Sequence, residues 1–199
     1  MDEETMRRVW LWTWLTNKLE ANGFTHLISR YLEKHHDIQQ QDFYEEMLKT
    51  FLHDKDSVYY PHLQKWSQYA NNLEFQYFIG GFVYSEVLVD IGQHHRTKFF
   101  KEVYDIANNL IGEFDPLLSQ VLDLQEKIQR QPIYKVHEVT YDKNLYEYIQ
   151  YDEPLVDEKT SYTLINDSLD ARFKNDWISF MNFARKHRGW KVKVEKNVQ

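Results

Sequence analysis

Leu73-Glu-Phe-Gln-Tyr-Phe-Ile-Gly-Gly-Phe-Val-Tyr-Ser-Glu-Val-Leu-Val-Asp-Ile-Gly92 is the stretch on which the fold class turns. Read as two strands joined at Gly80-Gly81, it is a hairpin, and the alternation of Phe75, Tyr77 and Ile79 supports that. Read as one buried helix, it continues the helical signals on both sides, and Val83, Val87 and Ile91 recur at spacing four. The helical reading is favoured. It makes the first 131 residues an all-helical body.

Working outward, Asp2-Glu-Glu4 places negative charge at a helix start. Met6, Trp10 and Trp14, then Leu11, Leu15 and Leu19, recur at helical spacing, and Asn22-Gly23 marks a stop. Leu27, Ile28, Tyr31, Leu32 and His35 predict a second, short helix. Asp42 with Glu45 predicts a capping box for a third, whose stripe is Phe43, Tyr44, Met47, Leu48 and Phe51. Pro61 suits the first turn of a fourth. Phe99 to Ile111 forms another, closed by Gly112, and Asp115-Pro116 caps the next, which Gln131-Pro132 ends.

Composition shifts at Pro132. Tyrosines and acids dominate 133–165, with strands predicted at 133–141, 145–150 and 161–165. A helix from Asp167 or Ser168 to Gly189 follows, then a final strand over Trp190–Val194 with Lys191 and Lys193 facing solvent. The expected fold is therefore mainly α. A body of six or seven helices over 1–131 carries a small α+β element over 132–199, packed on it as one domain.

Hydrophobic residues make up 42% of the 199 and aromatics 16%, enough for a core without staples. Cysteine is absent, which excludes disulfides, thiol catalysis and cysteine metal sites and fits a reducing cytosol. Val9–Leu15 is seven residues where a membrane span needs about 20, and the acids before Arg7-Arg8 argue against a signal peptide. The chain reads as a mature cytoplasmic protein with no membrane segment and no cofactor.

Charge is segregated. Residues 1–171 carry 16 Lys/Arg against 29 Asp/Glu, a net of −13; residues 172–199 carry 8 against 2, a net of +6, summing to −7. Arg185, Lys186 and Arg188, with Trp190, Lys191 and Lys193, form a candidate phosphate-contacting patch with a ring to stack on a base. The plainer account is that cations complement a helix C-terminus or neutralise the acidic body. Glu86, Asp90 and His94 fall at i, i+4 and i+8, a face that suits a divalent metal or ordinary solvation. Trp10, Trp12 and Trp14 cannot share one face, since Trp12 lies about 200° round the helix from Trp10. One of them is left for a partner contact unless all are core. His35-His36 reads as a helix-end cation pair.

The chain carries no Walker A loop, no Gly-x-Ser-x-Gly, no Gly-x-Gly-x-x-Gly and no His-Glu-x-x-His. Three functions are therefore weighed. The first is a non-enzymatic interaction or regulatory protein using protein partners or self-association through Trp10, Trp12 and Trp14. The second is a nucleic-acid-associated factor using the C-terminal patch. The third is a metal-dependent enzyme on Glu86, Asp90 and His94.

Overall fold

The structure, a computed structural model, describes residues 2–71, 83–132, 135–166, 170–174, 176–180, 183 and 191–197. Among these the body comprises α1 (Glu3–Leu19), α2 (His26–His36), α3 (Gln40–His53), α4 (Tyr60–Asn71), α5 (Val83–Asp90), α6 (Arg96–Ile111) and α7 (Leu118–Ile128). The C-terminal element comprises β1 (Lys135–Tyr141), α8 (Leu145–Tyr151), β2 (Thr160–Asn166), a 3-10 turn (Asp170–Phe173) and β3 (Lys193–Lys196). The chain is mainly α with a small α+β element. The hairpin reading of 73–92 fails from residue 83 onward, where the chain is helical; Gly80-Gly81 lies outside the described residues.

Local chemistry sets the helix ends. Asp2 caps α1 by accepting the Thr5 N–H at 2.7 Å. Gly23 ends that turn at φ 72°, where a side chain would be strained. Gly112 closes α6 at φ 74°, and its N–H reaches Asn108 O at 3.1 Å. The expected capping box is displaced. α3 begins at Gln40, so Asp42 sits inside the first turn, where its charge still complements the helix dipole. α7 ends at Ile128, three residues before Gln131-Pro132. Asp115 Oδ1 accepts the Leu117 N–H at 2.8 Å, an Asx turn that leads into α7 rather than capping it directly.

The sheet is antiparallel in the order β1-β2-β3, with Lys135 opposite Asn166, Tyr141 opposite Thr160, and Ile165 opposite Lys193. The strand expected at 145–150 is instead α8. Its residues Leu145, Tyr146, Glu147, Tyr148 and Ile149 are all buried, so the helix is covered on every side rather than along one face, and Asp152 ends it at φ 58°. The final strand starts later than expected. Lys191 makes an isolated bridge to Gln129, and its ammonium donates to Tyr146 Oη at 2.8 Å rather than facing solvent.

One hydrophobic cluster runs from Leu11, Leu15 and Leu19 of α1, through Trp66 and Phe99, to Val139, Ile149 and Leu164 of the C-terminal element. A satellite cluster joins Trp177 and Phe180 to Val89 of α5. No described helix is long and apolar enough to cross a membrane.

Candidate functional site

α1 sorts its residues by face. Leu11, Trp14, Leu15 and Leu19 point into the core, and Trp14 packs edge-on to Tyr59 and Trp66. Trp10 and Trp12 are half-buried, and Trp12 rests against the core with its indole N–H buried and unpaired. The outward face of the first half carries Met6 and Val9, 36% and 45% exposed. The three tryptophans thus divide, Trp14 into the core and Trp10 and Trp12 half-buried, and the exposed surface of 3–13 is mixed, with Met6 and Val9 among Glu3, Glu4, Thr5, Arg8 and Thr13.

Below these first turns, α1 and α3 leave a groove of about 700 Å³. Arg7 and Arg8 stand on the α1 side; Glu45, Glu46 and Lys49 stand on the α3 side; Leu11 and Leu48 lie between them. Arg8 and Glu45 approach to 3.8 Å across it, and Lys49 pairs with Glu46 at 3.0 Å. Both pairs are solvent-exposed, so each contributes little to stability and is open to exchange for another partner.

The carboxylate–histidine spacing meets an irregularity. Ile91–His95 is a π-helical turn between α5 and α6. A π-turn bonds at i+5, so the residue brought to Asp90 is His95, at 3.7 Å, and not His94. Asp90 Oδ2 lies 2.9 Å from His62 Nε2 on α4. The side chain of Glu86 lies outside the described residues. Among the described residues no group of three His, Asp or Glu is arranged to hold a metal ion. The turn is fixed by packing: a Cβ on Gly92 would come within 2.6 Å of the Trp177 ring.

Of the basic patch, Arg185, Lys186, Arg188 and Trp190 lie outside the described residues. Lys191 is engaged with Tyr146, and Lys193 with Glu195. Arg130 donates to Lys191 O at 2.8 Å and Val192 N–H to Ile128 O at 2.8 Å, so the start of the last strand is tied to the end of α7.

The acidic, tyrosine-rich character has a structural use. Phenols donate to carboxylates: Tyr31 to Asp115 at 2.6 Å, Tyr141 to Asp123 at 2.8 Å, Tyr162 to Glu147, and Tyr44 to Glu20. Asp115 is the most connected. It also holds His36 Nε2 at 2.9 Å and the Leu117 N–H. Burial works to raise its pKa, but the hydrogen bonds from Tyr31, His36 and Leu117 prevail and hold it below the ordinary carboxylate value. Glu20 is likewise lowered: burial opposes, and the bonds from His26, Tyr44 and Ser29 win. His35 stacks on Tyr31 and meets Tyr148 Oη at 3.2 Å; burial and then the neighbouring His36 depress its pKa. Sequence reading gave Asp115 and His36 separate roles as cap and helix-end cation. Their meeting across 79 residues left no local signal.

No protein-family model matches this chain, and no curated protein matches it in sequence.

Proposed function

We propose that this chain is a non-enzymatic, cytoplasmic interaction protein that pairs with a second copy of itself through the α1–α3 groove. The observation that carries the reading is the groove: Arg7 and Arg8 of α1 stand across from Glu45 and Glu46 of α3, with Glu4, Asp42 and Lys49 completing a mixed-charge lining. A two-fold interface presents the same patch from both partners, so the patch must complement itself. A surface with both signs in near balance does this, whereas a single-sign surface repels its own copy. Three carboxylates support the same reading, since buried Asp115 and the partly exposed Glu20 and Asp123 accept from internal donors. A cysteine-free composition accommodates a reducing cytoplasm.

The test is distance measurement between spin labels. The native chain has no thiol, so Asn17→Cys supplies a unique site on the exposed side of α1, away from the groove. A discrete interprotomer distance that fades on dilution with unlabelled protein is expected. Dipolar evolution indistinguishable from isolated labels, at the concentrations of any assembly, would rule the pairing out.

A further inference from the structure

A second concavity lies on the opposite part of the molecule, where the end of α7 meets the sheet. Lys135 and His137 of β1 face the same side as Asn166 and Leu164, which stand opposite them on β2. With Lys127, Gln129 and Val192 they enclose a hollow of about 10 Å³, room for one small group at its floor.

The polar groups here are nearly all donors. Gln129 is only 3% exposed, and its Oε1 accepts from Arg96 Nη1 at 2.5 Å. That bond orients the amide and leaves its NH2 as the remaining group, and no hydrogen bond among the described residues engages it. The His137 ring and the Lys135 ammonium have no hydrogen-bond or ion-pair partner among the described residues either. Lys127 gives one of its three N–H bonds to Asp123 at 2.7 Å. The acceptors nearby are taken: Asp123 by Lys127 and Tyr141, Asn166 Oδ1 by the Gln131 N–H. An amide donor left open at the rim of a hollow can give its N–H to a bound acceptor. Two ammonium groups beside it exclude a cation and favour an acceptor bearing negative charge.

We propose that this hollow is an oxyanion site for a phosphate group, one oxygen seated between Gln129 Nε2 and the His137 ring, with Lys127 and Lys135 neutralising the charge. Phosphate fits better than carboxylate. It presents oxygens in three dimensions to donors arriving from a helix end and a strand, and its charge, about −1 in a backbone diester and about −1 to −2 in the free ion, meets the Lys135 ammonium and that of Lys127, which also pairs with Asp123. Electrostatics around His137 agree. Burial, then Lys135 and Lys127, lower its pKa, while Asp123 acts the other way, so both ammonium groups lie close enough to act on the ring. A phosphate group reaches the site either as a free ion or on a nucleic-acid backbone.

The test is an NMR titration of the His137 imidazole in the full chain, assigned by its loss in His137→Gln. Inorganic phosphate and a short single-stranded oligonucleotide are added in separate arms, each at constant ionic strength. A bound anion favours imidazolium, so the midpoint is expected to rise by about half a pH unit or more. Lys135→Gln, at an exposed position, is expected to weaken the phosphate effect at least about fivefold. A rise with inorganic phosphate alone assigns the site to a free ion. A rise at lower concentration with the oligonucleotide assigns it to a nucleic-acid backbone. A midpoint unmoved in both arms, or a rise unchanged in Lys135→Gln, overturns the proposal.

Discussion

Asp115 joins three segments with one carboxylate: the Tyr31 phenol and His36 of α2, and the N–H that starts α7. Replacing it with Ala leaves a buried phenol and a buried N–H without an acceptor. The expected cost is about 2–3 kcal/mol in urea unfolding; a midpoint unchanged from the native protein contradicts the role. Its lowered pKa fixes a sign. The stability it contributes is present above the ordinary carboxylate value of about 4 and is lost as pH falls through the folded value. Histidine works at higher pH. His35 and His137 are both depressed, so the unfolded chain takes up protons first, and stability declines as pH drops below about 6.5. Urea midpoints are therefore expected to fall in two stages on acidification. The double variant His35→Gln, His137→Gln should lose the upper stage and keep the lower. A midpoint flat between neutrality and the carboxylate range would contradict both depressed values.

At the scale of elements, the π-turn at Ile91–His95 decides which side chains meet. Gly92 is required there because the Trp177 ring occupies the space of a Cβ. Gly92→Ala is expected to destabilise by about 1–3 kcal/mol through overpacking. The cost should shrink in a Trp177→Leu background, and additive effects in that double-mutant cycle would show that the two do not touch. The last strand depends on Arg130 and the Val192 N–H, so Arg130→Ala should speed hydrogen exchange over 192–196 and leave α1–α3 protected. Equal protection in both proteins would mean the strand is held elsewhere. Legibility in the sequence follows the same scale. α1 and α6 were readable because apolar spacing agreed with charge at the start or a closing glycine, α4 because its spacing agreed with Pro61, and α2 from apolar spacing alone. α8 was not, because Tyr and Ile favour strands by type, while the burial of all of 145–149 depends on tertiary packing, that against α2 included. The Glu86–Asp90–His94 reading assumed 3.6 residues per turn, and no residue pattern announces a π-turn.

At the scale of the molecule, the continuous core makes the C-terminal element part of the body's packing. Of the charge split legible in the sequence, the described part of the basic segment shows Lys191 bonded to the Tyr146 phenol and Lys193 paired with Glu195 of its own strand. What composition could not reveal is where opposite charges face each other across open space, because that needs α1 and α3 side by side. The groove they form is the basis of the proposed pairing, and Arg8 on its α1 side is an exposed residue whose replacement should spare the fold. Sedimentation equilibrium of the full chain and of Arg8→Glu, over a wide concentration range, tests this most directly. The account expects a concentration-dependent dimer in the native chain that Arg8→Glu shifts to monomer with unchanged thermal unfolding. A native chain monomeric at every concentration would contradict it.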